Sequence, residues 1–545
     1  MLLQINGISK IYGGTPILSG VSMKIEPGDR IGLVGVNGAG KSTLLQIIAG
    51  DLSYDEGEIY LAKGAKVGYL RQNSGFHPEN SIGSELLSVF TDLVQVEKEM
   101  RELERQMSDP AFMEDAGNYA ETMNRYATKS EWFLQHGGYE IEYKIRGILH
   151  GMGFGDFPQD TPIHTLSGGQ KTRLALAKTL LSEPDLLILD EPTNHLDFET
   201  LAWLEGYLRS YPGAILVVSH DRYFLDSLVT VIYELERTQV RCYIGNYSKY
   251  VMEKEINKEV LAKRYAMQQG QIAKMEDYVE RHIVRATSAK SAKNKRKQLE
   301  RIDRIDTPLA NLKRAKITFG VGKTSHKEVL HIRDIRISLG VESERKPLLQ
   351  NISFGLQRGE KVALIGPNGI GKSTLLKTLI GELLPDRGEI TWGKEVTIGY
   401  YDQEQSSLHP LNTILDEVWS HCPHIEEARI RTILGNFLFS GEDVFKKISS
   451  LSGGEKARVA LSKLMLKEAN VLVLDEPTNH LDLSSKEVLE STLLNYEGTL
   501  LFISHDRYFL NKLADRIVEL SSEGAVLYEG NYEGYMELRT RNRTS

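Results

Sequence analysis

The sequence predicts an α/β fold in which one structural unit occurs twice, with a long helical segment between the copies. Three observations support this. A glycine-rich loop follows an apolar strand at two places, and an apolar strand ending in Asp-Glu also occurs twice. About 80 residues rich in helix-forming side chains separate the copies, far more than a normal loop. A chain of 545 residues is also too long to fold around one hydrophobic core, since domains usually contain roughly 100–200 residues.

Composition and charge are those of a soluble globular chain, with 41% hydrophobic residues, 26% charged residues and a formal charge of -8. No apolar run reaches the roughly 18–20 residues of a membrane span, and the N-terminus lacks the pattern of a signal peptide. We therefore expect a cytoplasmic protein without a membrane segment. Cys242 and Cys422 lie far apart without CxxC spacing, which argues against disulfide frameworks, zinc sites and iron–sulfur clusters.

The first repeated motif is the glycine-rich loop, GVNGAGKS at residues 35–42 and GPNGIGKS at residues 366–373. Spaced glycines let backbone N–H groups close around phosphate oxygens at a helix N-terminus, so the motif predicts nucleotide binding. We expect each lysine to reach the terminal phosphates and each serine to hold Mg²⁺. The candidate binding residues are Gly35, Asn37, Gly38, Gly40, Lys41, Ser42 and Thr43 in the first copy and Gly366, Asn368, Gly369, Gly371, Lys372, Ser373 and Thr374 in the second.

Two further motifs carry polar side chains at the ends of apolar strands. An Asp-Glu pair ends one strand in each copy, and Ser-His-Asp follows another strand. Beside a phosphate loop, one carboxylate suits the magnesium shell and the other a general base, although an Asp-Glu pair alone is more often solvated surface. The predicted magnesium ligands are Asp190 and Asp475, the predicted bases are Glu191 and Glu476, and the predicted phosphate or water contacts are His220 and His505.

The offset between the copies indicates an insertion in the first one. Lys41 and Lys372 are 331 residues apart, whereas Asp190 and Asp475 are 285 apart, a difference of 46 residues. We place the extra residues near 88–135, where apolar side chains recur at helical spacing on both sides of a Ser-Asp-Pro turn. We expect an antiparallel helical hairpin with arms of about 20 residues. The alternative interpretation is a hairpin that only packs on its own domain and has no separate function.

The segment between the copies reverses the sign of the chain's charge. Between residues 281 and 297 there is no Asp or Glu, but there are seven basic residues, which are candidate contacts for an acidic partner such as a nucleic acid: Arg281, Arg285, Lys290, Lys293, Lys295, Arg296 and Lys297. Lysine and arginine neutralise nucleic-acid phosphates. On composition alone, however, a lysine-rich helix is more often a solvated face. We expect two helical stretches with a break near residues 286–288 and a tip near residues 283–292.

The combined motifs resemble the ATP-binding cassette superfamily with two fused nucleotide-binding domains. LSGGQ at residues 166–170 and LSGGE at 451–455 precede helices, and EPTNHLD occurs at residues 191–197 and 476–482. With the inserted arm and the basic linker, the chain is similar to the ABC-F family of ribosome-associated translation factors. The resemblance implies tandem ATP-binding cassette (P-loop NTPase) domains at residues 1–245 and 329–545, joined by an α-helical hairpin linker at residues 246–328.

The family resemblance also implies two ATP molecules, with Mg²⁺, held between domains that close head to tail. One predicted site joins Lys41, Ser42, Gln72, Asp190, Glu191 and His220 to Ser452 and Gly454; the other joins Lys372, Ser373, Gln403, Asp475, Glu476 and His505 to Ser167 and Gly169. Gln72 and Gln403 are expected magnesium ligands. Tyr12 occupies the position at which the family stacks an aromatic ring on adenine, whereas the second copy has Leu339.

The resemblance finally implies an ATPase that binds the ribosomal E site in its closed state and dissociates after hydrolysis. Its expected partners are P-site tRNA, 23S rRNA near the peptidyl-transferase centre and E-site proteins, and its role is translation regulation, rescue of stalled ribosomes or protection against antibiotics. We expect a monomer whose cassettes pair within one chain. Two other functions stay open: a fused ATP-binding subunit of a membrane transporter, and a DNA-repair ATPase, which the scattered cysteines argue against.

Overall fold

A computed structural model of the chain describes all residues except 71–75, 78, 110–115, 195, 283–288, 303–318, 340–345, 403–407, 438, 440, 480 and 545. In the part of the chain so described, no helix combines the length and apolar character needed to cross a membrane.

The helices and strands repeat in the order that the motifs predict. The first copy contains β1 (Leu3–Tyr12), β2 (Thr15–Ile25), β3 (Arg30–Val34), α1 (Lys41–Ile48), β4 (Glu56–Leu61), β5 (Val67–Leu70), α2 (Ile82–Leu87), α3 (Thr91–Met107), α4 (Ala116–Gln135), α5 (Ile141–Gly151), α6 (Gly168–Leu181), β6 (Leu186–Asp190), α7 (Phe198–Arg209), β7 (Ala214–Val218), α8 (Arg222–Leu228), β8 (Val231–Glu236) and β9 (Gln239–Ile244). The linker helices are α9 (Tyr247–His282) and α10 (Ala289–Glu300). The second copy contains β10 (Glu328–Leu339), β11 (Lys346–Gln357), β12 (Lys361–Ile365), α11 (Lys372–Leu379), β13 (Arg387–Trp392), β14 (Ile398–Tyr401), α12 (Ile414–Trp419), α13 (Glu427–Asn436), α14 (Gly453–Leu466), β15 (Val471–Asp475), α15 (Leu483–Leu494), β16 (Thr499–Ile503), α16 (Arg507–Leu513), β17 (Arg516–Leu520), β18 (Ala525–Glu529) and α17 (Tyr532–Thr544).

Each copy is built on a six-stranded sheet and a smaller antiparallel sheet. The first has the strand orders β5-β6-β7-β3-β8-β9 and β2-β1-β4, and the second has β14-β15-β16-β12-β17-β18 and β11-β10-β13. The larger sheets are parallel except for their last strand. Because β3, β6 and β7 are neighbours, the glycine loop, the Asp-Glu pair and the Ser-His-Asp motif leave the sheet side by side.

The central strands are buried on both faces, which explains their continuous apolar sequences. In β6, Leu186 and Ile188 pack towards the small antiparallel sheet, while Leu187 and Leu189 pack against the helices on the other face. The second copy repeats this alternation in β15, where all five residues are buried. The sheets therefore hold the strand ends rigidly.

The inserted arm is a helical hairpin, as predicted, made of α3 and α4. Glu99 forms an ion pair with Lys129 at 2.5 Å, and Glu104 accepts a hydrogen bond from Tyr126 at 2.7 Å. The partners come closer in sequence towards the turn, which is the pattern of an antiparallel pair. Part of the predicted Ser-Asp-Pro turn lies outside the described residues.

The linker forms two helices, and one contact shows how they pair. The ammonium of Lys295 on α10 lies 4.0 Å from the ring centroid of Tyr278 on α9. This cation–π contact joins the helices on either side of residues 283–288 and supports the predicted hairpin. At the far end of the linker, Phe319 is buried and packs near Tyr496. We therefore propose that the second domain begins before residue 329.

Candidate functional site

The two glycine loops have the same backbone geometry. The Lys41 ammonium donates hydrogen bonds to the carbonyl oxygens of Gly35 (2.8 Å) and Val36 (3.1 Å), and Lys372 does the same in its own loop. Helix α1 begins after Gly40, whose φ of +100° favours glycine, and it has no side-chain cap. Its first N–H groups are thus available to an anion.

The predicted bases are held by the predicted histidines. Glu191 Oε2 accepts the backbone N–H of His220 at 3.1 Å, and Glu191 Oε1 lies 3.3 Å from His220 Nε2. Glu476 and His505 repeat these contacts at 3.1 and 3.4 Å. Both glutamates have positive φ, +51° and +49°, a strained conformation for a residue with a side chain.

Electrostatics of these pairs favour proton acceptance by the glutamates. Burial, and then the neighbouring Asp190 carboxylate, raises the pKa of Glu191 to about 8. Burial also raises the pKa of Glu476 to about 7. Burial together with the nearby ammonium groups of Lys41 and Lys486 lowers the pKa of His220 to about 3, so this imidazole is neutral at physiological pH.

The aspartates at the strand ends fit a magnesium site. Asp190 Oδ2 and Asp475 Oδ1 are buried and have no hydrogen-bond partner among the residues that the structure describes. Burial raises the pKa of Asp190 and raises that of Asp475 to about 6, whereas hydrogen bonds from Ser42 and Ser373 act in the opposite direction. A cation would satisfy the orphaned oxygen, and hydroxyl and carboxylate oxygens are ligands that Mg²⁺ prefers.

The LSGG motifs are helix N-termini. Ser167 Oγ accepts the Gln170 N–H at 3.3 Å, and the Gln170 side chain accepts the Ser167 N–H at 2.8 Å. Ser452 and Glu455 form the same capping box at 3.3 and 2.9 Å. Glutamate therefore replaces glutamine here without loss of the cap.

Two cavities lie between the copies, and each takes residues from both. One, of about 700 Å³, is lined in the first copy by Tyr12, Ile17, Asn37, Gly38, Gly40, Lys41, Ser42, Thr43, Asp190, Glu191 and His220, and in the second by Ser452 and Gly454. The other, of about 500 Å³, is lined in the second copy by Leu348, Asn368, Gly369, Gly371, Lys372, Ser373, Thr374, Glu476 and His505, and in the first by Ser167 and Gly169. The structure thus brings together two sets of predicted residues, head to tail.

Several residues at these cavities escaped sequence reasoning. Asp482 Oδ2 accepts the backbone N–H of Asn37, and Asp197 Oδ2 accepts that of Asn368, both at 3.3 Å. These aspartates end the EPTNHLD motifs, so their repetition was a usable signal. Ile17 and its counterpart Leu348, 331 residues later, provide apolar surface that no motif marked.

Reciprocal ion pairs join the two copies beside the cavities. Arg222 lies 3.3 Å from Glu490, and its counterpart Arg507 contacts Glu205 and lies 3.4 Å from Asp221. Each arginine also covers a tyrosine of the opposite copy. The buried, repeated arrangement indicates a specific interface between the copies.

Other predicted residues stand apart from the cavities or outside the described residues. Gly35 and Gly366 begin the loops, where an added Cβ would lie 2.5 and 2.7 Å from a backbone oxygen. Gln72, Gln403 and Arg285 lie outside the described residues. The side chains of Leu339, Arg281, Lys290 and Lys293 are also not described, whereas Arg296 and Lys297 are exposed on α10.

Comparison with known proteins agrees with this architecture. A family model described as "ABC transporter" matches residues 18–194 and 349–479, and a second with the same description matches residues 233–319. The putative ATP-binding protein YdiF of Bacillus subtilis (strain 168) is 53% identical, covering 99% of this chain and 83% of the relative. ABC transporter F family member 2 of Arabidopsis thaliana is 36% identical, covering 99% and 80%.

Solved structures share the fold at low sequence identity. A structure titled "RNase-L Inhibitor" has a TM-score of 0.61 and 19% identity, covering 98% of this chain and 93% of that one. One titled "Model of ribosome-bound archaeal Pelota and ABCE1" has a TM-score of 0.58 and 19% identity, covering 98% and 80%. The two cassettes of the present chain are of a type that binds and hydrolyses ATP. The chain belongs to the ABC-F family of ATP-binding cassette proteins.

Proposed function

We propose that this protein is an ATPase that holds two ATP molecules, each with Mg²⁺, in the cavities between its cassettes and presents its linker to the ribosome when the cassettes are closed. The observation that carries the proposal is that each cavity combines the phosphate loop of one cassette with the LSGG helix start of the other. ATP bound in such a cavity would hold the two cassettes together. Nucleotide binding then shifts the equilibrium between open and closed cassettes towards the closed state.

The proposed chemistry divides between neighbouring side chains. Lys41 and Lys372, with the α1 and α11 N-termini, hold the phosphates, and Glu191 and Glu476 accept the proton of the attacking water. Ser42 with Asp190, and Ser373 with Asp475, would hold Mg²⁺, which neutralises phosphate charge. Tyr12 offers its ring to the base in the first cavity.

The linker supports an RNA partner. Helix α9 has 36 residues, which corresponds to about 54 Å. Between Tyr250 and Glu280, only Ile272 is buried. Such a helix projects from the cassettes, and its basic end suits phosphate binding. We propose that it enters the E site, contacts P-site tRNA and 23S rRNA near the peptidyl-transferase centre, and leaves after hydrolysis.

The short helix α8 connects the first cavity to the start of linker helix α9. Asp221, next to His220, caps α8 by accepting the Phe224 N–H at 2.9 Å. On the same helix, Asp226 Oδ1 accepts the N–H of Ser248 at 2.7 Å, at the start of α9. A change at the histidine can therefore reach the linker through one rigid element. We propose that this monomer acts in the cytoplasm in translation regulation, ribosome rescue or protection against antibiotics.

The test is ribosome binding by the variant Glu191→Gln/Glu476→Gln, which keeps the cavities but lacks both bases. With ATP, we expect it to co-sediment with ribosomes, and without nucleotide we expect it to stay free. The matched control adds Arg296→Glu and Lys297→Glu, which should weaken ribosome binding while leaving ATP binding intact.

Failure of the double glutamine variant to bind ribosomes with ATP would contradict the proposal. Co-purification with a membrane permease would favour a transporter subunit instead.

A further inference from the structure

Lys486 breaks the symmetry of the interface between the cassettes. Its counterpart, 285 residues earlier, is Leu201. Both side chains are buried, 8% and 3% exposed. Around them the interface repeats, with Asp221 matched by Asp506 and Arg222 by Arg507. A buried ammonium group is costly unless it is paired, so its partners indicate what it does.

The Lys486 ammonium contacts both cassettes. It donates to Asp506 Oδ2 of its own cassette at 2.9 Å and to the backbone carbonyl oxygen of His220 in the first cassette at 3.1 Å. Leucine at position 201 has no donor for the corresponding contact with the second cassette. The lysine thus adds a charged hydrogen bond on one side of the pseudo-symmetric interface.

The carbonyl that accepts this bond belongs to the residue that orients the predicted base. His220 contacts Glu191 through its backbone N–H at 3.1 Å and through its ring at 3.3 Å. Fixing its carbonyl limits rotation of the His220 backbone and therefore limits movement of both contacts. The His505–Glu476 pair has the same two contacts, and both Leu201 and Lys486 line its cavity. In its own cassette, however, the Lys486 ammonium donates to the Asp506 carboxylate and not to a histidine carbonyl oxygen.

We propose that Lys486 is a positioning residue that holds the His220–Glu191 pair from the opposite cassette, so that the two ATP sites hydrolyse ATP at unequal rates. The Glu191 site depends on the hydrogen bond from Lys486 to the His220 carbonyl and on closure of the interface, whereas at the Glu476 site the position of Lys486 is taken by Leu201, which offers no such bond. The inference rests on the proposed ATPase function.

The test isolates each site with one glutamine substitution in the full-length protein. Glu476→Gln leaves the Glu191 site active, and Glu191→Gln leaves the Glu476 site active. Into each background we place Lys486→Met, which keeps the length of the side chain, or Lys486→Arg, which keeps the charge. The matched control is Arg516→Met, since Arg516 pairs with Glu360 at 3.0 Å and with Glu529 at 3.2 Å, both within the same cassette as Lys486.

At the Glu191 site, we expect Lys486→Met to lower kcat about tenfold with KM for ATP changed less than about twofold, because misplacing a catalytic group slows the chemical step more than binding. Lys486→Arg should restore most of the loss. The Glu476 site should change less than about twofold, as should both sites with Arg516→Met.

Three results would overturn the inference: equal losses at the two sites, a rise in KM without a change in kcat, or no rescue by arginine. If neither single-glutamine form hydrolyses ATP while the unsubstituted protein does, the sites act only together and unequal turnover is also overturned. If the unsubstituted protein does not hydrolyse ATP, the proposed function itself fails. Should Lys486→Met unfold, Lys486→Met/Asp506→Asn removes both charges and should give the same site-selective loss.

Discussion

Arg507 offers the sharpest perturbation of cassette closure. Its guanidinium contacts Glu205 and lies 3.4 Å from Asp221, and both partners belong to the first cassette. The arginine is 14% exposed and each carboxylate is 12% exposed, so the group is largely shielded from water. Arg507→Met keeps much of the side-chain volume but leaves two buried carboxylates without their cation.

The size of the effect follows from that burial. Removing one partner of a buried ion pair costs about 3–5 kcal/mol. Because the pair joins the two cassettes, we expect this energy to be lost from the closed state alone. At about 1.4 kcal/mol for each factor of ten, closure should weaken about 100-fold or more.

The assay measures ATP-dependent closure of the Glu191→Gln/Glu476→Gln form. Fluorescence energy transfer between dyes on the two cassettes reports how close they are. Arg507→Met should raise the ATP concentration at which half of the molecules are closed by about 100-fold or more. Combining it with Glu205→Gln should cost less than the sum of the single changes, because the two residues interact.

The control is Arg516→Met. Arg516 is 17% exposed and pairs with Glu360 at 3.0 Å, but both residues belong to the second cassette. If Arg507→Met shifts closure no more than Arg516→Met does, the assignment of the interface to a closed functional state is wrong.

Further predictions concern stability and nucleotide binding. Lys463→Met should destabilise the second cassette by about 3–5 kcal/mol, since Lys463 and Glu417 form a 2.6 Å pair that is 7% and 1% exposed. Lys178→Met should cost about 1 kcal/mol, because Lys178 in the matching pair with Glu85 is 36% exposed; thermal unfolding compares the two variants. Burial raises the pKa of Glu417, but hydrogen bonds from Lys463 and Asn412 outweigh it and bring the pKa below its ordinary 4.5. The stability from this pair is therefore present above about pH 4.5 and is lost as the pH falls through the folded-state pKa, which unfolding measured across that range will test. Tyr12→Leu, which copies the second cassette, should weaken ATP binding at the first site about two- to tenfold by removing an aromatic face; binding titration of nucleotide would show no change if Tyr12 does not stack on adenine.

Repetition made much of the fold predictable from sequence. Two glycine loops at one offset and two Asp-Glu strand ends at another located both sheets and the inserted arm, which the structure forms at Thr91–Met107 and Ala116–Gln135. The strand order explains why these motifs meet, since parallel neighbours place their carboxyl ends at one edge. The repeated motifs were therefore sufficient to predict the residues that each cassette contributes to its own nucleotide loop and strand ends.

Contacts between the cassettes were harder to predict. Asp197 and Asp482 reach the loops of the opposite copy, and a sequence does not show which surfaces face each other. Lys486 belongs to no motif of the sequence, and only the packed interface shows that it is buried. Such residues act through tertiary placement and leave no periodic signal.

We propose that ATP-driven closure of the cassettes places the basic linker in the ribosome. The most direct measurement is a density map of the ribosome bound to the Glu191→Gln/Glu476→Gln form with ATP. We expect both cavities to be filled with nucleotide and the segment between α9 and α10 to lie against RNA in the E site, near P-site tRNA. Closed, nucleotide-filled cassettes with the linker in solvent, away from RNA, would contradict it.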